Sequence, residues 1–425
     1  MAITQDNQII TVDSPLGKDV LLMRSFRAAE HISAPFSVEA EVSSAESTID
    51  PNKIIGKSVT IKVSSDSDNP RFFNGVVSRW AAGGSQDRVA FKYYMTIVPW
   101  LSLLKYRQAS RIFQEQSVQD ILSTLFDELG FTDYEWKLQK TYEPRLYCVQ
   151  YRETDFDFTH RMLEEEGIFY YFKHENGKHS LVLSDYAKGY DEIAKEALDV
   201  IDGSHTDFTL KQWRRNFNFV SGKVELNDYN FTTPATSLSA NQKSLVDLPN
   251  IEKFEIYDYP GEYGVKAQGT NYATTRMEAL ESSYSLVEAS SDYPCLTPGF
   301  VFTIGEHWDK SEKKAKYVAT SVIHSGTEGS YQAGEGGGSY SNSIVCAPAA
   351  TVMRPLTRTP KPVVGGTQTA LVVGPSGEEI FTDEYGRIKV QFYWDREGQK
   401  DDTSSCWIRV AQIWAGKKWG AQYLP

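Results

Sequence analysis

The residues of this chain best suited to chemistry sit in two short stretches. In TDFDFTHRMLEEEG (154–167), carboxylates surround one histidine. Asp157, His160 and Glu164 follow i, i+3, i+7 spacing, so a helix would bring them towards one face, and a zinc ion takes nitrogen and oxygen ligands from such a face. The H-E-x-x-H and H-x-x-E-H metalloprotease patterns are absent. Charge clusters of this kind are often structural. The expectation is therefore a solvated or interface face of a structural helix, Glu165 and Glu166 included. In KHENGKH (173–179), Asn176-Gly177 reads as a tight hairpin turn that sets His174 across from His179. Two histidines alone rarely close a metal site, so a surface hairpin is expected. No G-x-S-x-G elbow presents a serine nucleophile. GEGGG (334–338) lacks the Gly-Lys-Ser/Thr of a phosphate loop. Trp394, Trp407, Trp414 and Trp419 could form a glycan platform, but alternating aromatics more often serve a core or a subunit contact. No catalytic, cofactor-binding or metal-ligating residue is assigned, and no cofactor is expected.

The elements around these residues are mostly strands. The chain carries 24 Tyr, 21 Phe and 9 Trp, and flat rings pack well on a pleated face. In 88–99, RVAFKYYMTIVP, Phe91, Tyr93, Met95 and Ile97 share one face, and Pro99 ends the run. Strand-like runs also occur at 59–63, 179–184, 220–226, 299–304 and 317–323. Two helices interrupt them. Over 117–130, Ser117 is the expected N-cap, Gly130 the C′ residue, and Ile121, Leu122, Leu125, Phe126 and Leu129 the apolar stripe. Over 154–167, Thr154 caps, Phe158, Met162 and Leu163 face inward, and Gly167 stops the helix. Glu164–Glu166 oppose the helix dipole there, which points to a contact. Tyr259-Pro260-Gly261 fits a type II turn. Asn74-Gly75 fits either a hairpin turn or a glycine inside one strand. Residues 325–343, rich in glycine and serine, read as a long mobile loop. No internal repeat is visible. In 380–394 a turn at Asp383–Gly386 precedes alternating Ile388, Val390, Phe392 and Trp394. A second run follows at 406–414, as in an OB-type barrel.

Composition narrows the function. A length of 425 residues suggests two to four domains, and the net charge of −12 gives no electrostatic support for binding nucleic acid. The four cysteines, at 148, 295, 346 and 406, have no C-x-x-C spacing, so reduced thiols are expected. The first residues show no secretory pattern, and no run reaches the roughly 20 apolar residues of a spanning helix, so no stable membrane insertion is expected.

Taken in order, several segments resemble one family. They are RFFNGVVSRW (71–80), RIFQEQSVQDIL (111–122), YCVQYRETDFDFTHRMLEEEGIFYYF (147–172), YDYPGEY (257–263), TQTALVVGPSGEEIFTDEYGRIKVQFYWDREG (367–398) and SSCWIRVAQIWAGKKWGAQYLP (404–425). Together they look like the hub of the valine–glycine repeat proteins, VgrG, the spikes of type VI secretion systems. The resemblance implies a mainly β fold with a few helices: phage-hub-like tandem β-barrel domains followed by a partial OB-fold barrel. The implied boundaries are 1–110 for a first hub barrel, 111–185 for a helix-containing insertion, 186–366 for a second hub barrel, and 367–425 for the start of the OB domain. It also implies a homotrimer, a pseudo-sixfold base docked on the hexameric Hcp tube within the baseplate proteins, and a needle tipped by a PAAR-repeat protein. Effectors would be carried fused or docked. Such a spike is not an enzyme; it is loaded in the cytoplasm and injected by the contractile apparatus without a signal peptide. The sequence ends at Pro425, where the family continues into the rest of the barrel and the needle, so a truncated chain is expected. A cell-wall hydrolase on a phage-type tail spike is the alternative; it would need a catalytic domain beyond the OB region. A passive glycan-binding module is a third reading.

Overall fold

The computed structural model describes residues 4–6, 8–64, 69–85, 90–201, 208–329 and 337–411. In chain order its elements are β1 (Ile10–Asp13), β2 (Leu22–His31), β3 (Ala34–Ser44), β4 (Ser58–Val63), β5 (Arg71–Ser85), β6 (Phe91–Val98), β7 (Gln108–Phe113), α1 (Val118–Glu128), β8 (Tyr134–Lys137), β9 (Cys148–Thr154), α2 (Asp155–Glu166), β10 (Phe169–Glu175), β11 (Lys178–Ser184), β12 (Asp191–Glu192), β13 (Leu210–Phe217), β14 (Lys223–Leu226), β15 (Ala240–Lys243), β16 (Glu255–Asp258), α3 (Lys266–Glu281), β17 (Ser285–Ser291), β18 (Phe300–Thr303), β19 (Lys316–Thr327), β20 (Ser339–Pro348), β21 (Ala370–Val373) and β22 (Lys389–Phe392). The chain forms two compact units. The first is Met1–Ser102, Asp133–Lys140 and Leu163–Arg358; the second is Leu103–Thr132, Thr141–Met162 and Thr359–Pro425.

One large sheet organises the first unit, in the order β1-β4-β5-β6-β3-β2-β19-β20-β17-β13. From β5 to β13 every neighbouring pair is antiparallel. A seam is formed by the β2–β19 pair, running from Thr327↔Ser25 to Ser321↔His31, with β1 and β4 extending the sheet beyond β5 on the β2 side. Reading outwards from it, one side is β2, β3, β6, β5 and the other β19, β20, β17, β13. Because every pair in the two sets is antiparallel and so is the seam, the two sets correspond in neighbour order and strand direction. Their chain orders differ: the first is written seam, second, fourth, third, and the second is written fourth, third, seam, second. Each half is thus a circular permutation of the other.

Alternation makes these strands. In β6, Tyr93, Met95 and Ile97 are buried while Tyr94 is exposed. Asn74-Gly75 lies inside continuous β5, and a Cβ on Gly75 would come within 2.7 Å of both Ile97 Cγ2 and the Val98 carbonyl oxygen. A turn is thereby excluded, since this backbone is stacked directly on β6. The 325–343 stretch is shorter as a loop than expected, because β19 and β20 stay paired as far as Thr327↔Ser339. Its residues 330–336 lie outside the described residues, with Gly334–Gly336 of the GEGGG run.

Two three-stranded sheets complete this unit, β10-β11-β8 and β15-β14-β16. Helix α3 packs on the second through Ala273 and Met277. It has no apolar stripe in the sequence, because the positions it buries include Gly269, Thr275 and Ala279. The Tyr259–Pro260 peptide is cis and Gly261 does not take a positive φ, so the type II turn expected there is not formed.

In the second unit β7 pairs with β9, and β21 with β22. Helix α1 buries Val118, Ile121, Leu122, Leu125 and Phe126, and its start is a reciprocal cap: Asp120 N–H donates to Ser117 Oγ, and Ser117 N–H donates to the Asp120 carboxylate. Leu129 is the C-cap and Gly130 follows at φ +74°. Helix α2 begins as expected, with Asp157 N–H donating to Thr154 Oγ1. The OB-like region shows β21, β22 and one further bridge, Ile388↔Ile408. The rest of the 406–414 run, from residue 412, lies outside the described residues.

Candidate functional site

The large sheet has an outer and an inner face, and they differ in chemistry. Outward positions run in register across the seam: Glu39 opposite Arg27, Arg27 opposite Ser325, Ser325 opposite Ser341. The set continues to Ser343 and Ser290 on one side and to Thr96 and Arg79 on the other. This outer face is small, hydroxylated and charged, and the depressions on it are open. Elsewhere on the first unit, Phe217, Phe219, Phe254, Ile256, Tyr257 and Tyr259 are exposed around β13 and β16. An apolar group of this kind marks a contact surface.

The inner face holds a charged cluster beneath the seam. Glu30 of β2 is 3 % exposed and accepts two hydrogen bonds from Arg71 Nη2 of β5, at 2.9 and 2.6 Å. His174 Nε2 of β10 is 3.1 Å from one Glu30 oxygen and His324 Nε2 of β19 is 2.9 Å from the other, both angled short of an ideal hydrogen bond. Phe36 and Phe73 wall the cluster, their ring centres 4.6 Å from His174 and 4.8 Å from His324 respectively. The expected surface hairpin is therefore corrected. The turn and the His174↔His179 register are as read from Asn176-Gly177, but both rings point into the core. They do so because β10 and β11 lay their inner face on β5, where Asn74 meets both histidines.

The ring protons follow from the partners on both nitrogens of each imidazole, with the Glu30 carboxylate deciding for His174 and His324. Trp100 N–H donates to His179 Nε2 at 3.0 Å, so His179 Nδ1 carries the hydrogen and donates to Asn74 Oδ1 at 2.8 Å. Asn74 N–H donates to His174 Nδ1 at 3.1 Å, leaving the hydrogen on Nε2 towards Glu30. His324 Nδ1 meets the Tyr340 hydroxyl at 2.5 Å, and its hydrogen sits on Nε2 because that nitrogen faces the Glu30 carboxylate. Burial would raise the Glu30 carboxyl, but the Arg71 charge and the two imidazole contacts outweigh it and hold Glu30 well below its ordinary range. Burial depresses His174 and His324 against the pull of Glu30. Burial and the neighbouring His174 push His179 down to about 3.

The helix cluster singled out in the sequence does not converge. Asp157 returns to Thr154. His160 Nδ1 donates to the Phe156 carbonyl at 2.9 Å. Glu164 is buried rather than solvated and accepts from Arg358 N–H at 2.8 Å, which is where part of the misplaced acid goes. Among the described residues no group of three or more His, Cys, Asp or Glu is arranged to hold a metal ion. Trp394 and Trp407, the two of the four tryptophans among the described residues, each have separate aromatic partners. Trp394 stacks on Phe392 and donates to Gln368, and Trp407 packs on Phe381. Trp414 and Trp419 lie outside the described residues.

The family model of the phage tail baseplate hub (GPD) matches residues 29–330, from the seam strand β2 through β19. The chain belongs to this family. Among curated proteins, this hub chain is similar to the type VI secretion system spike protein VgrG1b of Pseudomonas aeruginosa, 38 % identical over 100 % of this chain and 58 % of that protein. The chain thus spans little more than half of that relative's length. Among solved structures it is similar to an E. coli component of the type VI secretion system described as resembling T4 bacteriophage tail proteins gp27 and gp5. That match has a TM-score of 0.65 at 19 % identity and covers 94 % of this chain and 92 % of the other. A Francisella PdpA–VgrG complex matches with a TM-score of 0.54 at 10 % identity, over 94 % of this chain and 71 % of that one. The hub fold, mainly β with a few helices, is the one the sequence resemblance implied.

Proposed function

We infer that this chain is the structural hub and spike base of a type VI secretion, contractile injection, apparatus. One observation supports the reading: within its large sheet a single chain holds two four-stranded sets of like neighbour order, joined edge to edge at β2–β19. Three such chains present six like units, the number needed to dock on the hexameric Hcp tube. The hydroxylated outer face suits a wetted surface, and the exposed aromatics around β13 and β16 suit burial between subunits or against baseplate proteins. Its work is mechanical rather than catalytic: many cross-strand bonds loaded together keep the body folded under thrust. A PAAR-repeat tip protein and effectors are further partners of the assembled spike. The loaded spike waits in the cytoplasm and leaves with the apparatus. The test is assembly of the full-length protein. Light scattering should give three chains, and electron-microscopy views down the axis a six-lobed base that captures purified Hcp hexamers. A full-length protein that stays monomeric at micromolar concentration and ignores Hcp would end this reading.

A further inference from the structure

The charge cluster under the seam is made by strands from different parts of the chain, and its wiring is uneven. His179 is locked. Its Nε2 already accepts from Trp100 N–H, so a second proton there would have to displace that bond. His174 and His324 differ. His174 Nδ1 lies 3.1 Å from the Asn74 carbonyl oxygen as well as from the Asn74 amide. A proton added at Nδ1 therefore finds an acceptor after a small rotation. His324 Nδ1 faces a hydroxyl, and a hydroxyl can turn from donor to acceptor. Tyr340 would then receive from both His324 and Asn342 Nδ2, which already donates to it at 3.0 Å.

We propose that Glu30, Arg71, His174 and His324 form a proton-operated latch across the β2–β19 seam, closed at neutral pH and opened by acid. With the latch closed, Glu30 and Arg71 cancel and both imidazoles are neutral donors to the carboxylate. Two added protons, one on each Nδ1, leave three positive groups around one carboxylate in a buried site. Repulsion then acts across the contacts that hold β10 and β19 against β2 and β5. The other titratable groups facing the cluster are Tyr340 on β20, which burial keeps protonated, and Cys295 beside it; His179 on β11 stays neutral, and His31 faces outward from β2. None of these supplies a negative charge to offset the added protons. The seam lies within one chain, so the latch works independently of assembly, and its test does not depend on the trimer.

The test has two readouts. The first is nitrogen NMR of ring-labelled histidine, which reports tautomer and protonation for each ring in the unaltered protein. His174 and His324 should carry their hydrogen on Nε2 at pH 7 and become doubly protonated in the folded protein only at a pH below that at which an exposed histidine titrates. The second is amide exchange, corrected for its intrinsic pH dependence, in peptides covering 24–31 and 321–327. Protection there should fall at least tenfold between pH 7 and pH 5, while α1 holds its protection. In His174→Gln/His324→Gln, which keeps a donor towards Glu30 but cannot gain charge, seam protection should become flat with pH. Seam protection that stays flat in the unaltered protein, or histidines neutral until the whole chain unfolds, would overturn the latch and leave the cluster purely structural. If the double variant does not fold, the histidine titration alone decides.

Discussion

At the scale of single residues, the buried charges are the most exacting feature. Taking one partner from a buried ion pair leaves the other unsolvated, so Glu30→Gln or Arg71→Met should each destabilise the fold by about 3–5 kcal/mol in denaturant titration. Replacing both with apolar groups should be milder than the two single losses summed, a coupling that a double-mutant cycle reads directly. The histidines set the acid side of the stability curve. A buried imidazole whose folded pKa is depressed binds fewer protons than its unfolded form, so its contribution is complete above about pH 6.5 and is lost as pH falls. If His174, His179 and His324 all stay neutral in the folded state, stability should drop by about 3–4 kcal/mol between pH 6 and pH 5. A smaller drop, with proton uptake by the folded protein, is what the latch expects. The Glu30 carboxylate contributes above its unfolded pKa, about 4.3, and only stronger acid removes that. The sequence displayed His174 and His179 with their turn but not their burial. Arg71 reaches Glu30 across 41 residues of chain, and Asn74 meets His179 across 105; no local spacing rule spans such distances.

Elements show where local rules are sufficient and where they fail. Helix α1 was legible, because Ser117, Gly130 and the stripe from Ile121 to Phe126 state its ends and its buried face within one window, though Leu129 of that stripe is the C-cap. Ser117→Ala should cost about 1 kcal/mol through loss of the cap, read as a lowered midpoint of thermal unfolding. Gly75→Ala should cost more, about 1–3 kcal/mol, since the new methyl would press on Ile97 and the Val98 backbone and part β5 from β6. Helix α3 was not legible. A helix that fits closely against a sheet buries small residues, and Gly269, Ala273 and Ala279 leave no hydrophobic period to detect. The acids at the end of α2 were read as serving a contact, and Glu164 does so, but with a backbone amide of its own chain rather than with solvent or a partner. The OB-like strand β22 was foreshadowed by the alternation of Val390 and Phe392, whereas β21 was not read from alternation. Their pairing could not be, because Ala370–Val373 lies a long turn-rich stretch upstream.

For the whole molecule, a mainly β hub was visible from the order of its segments, whereas its internal symmetry was not. The seam should make the two halves unfold together. A destabilising change on either side, such as Gly75→Ala in β5, should lower the unfolding midpoint reported by probes in the other half equally; separate transitions would show the halves to be independent. The reason the likeness escaped the sequence is the order in which it is spelled. A residue-by-residue match of the chain with itself, kept collinear, must miss a relationship in which one copy starts midway through the other. The same phase difference indicates where the backbone can be reopened. Joining β1 directly to β4, the end of β6 to the start of β2, and the end of β3 to the start of β7 would give the first half the thread of the second, with every strand keeping its neighbours. Such a rewired protein should still close its seam, and in doing so would show that adjacency in space, rather than succession along the gene, is what this architecture preserves.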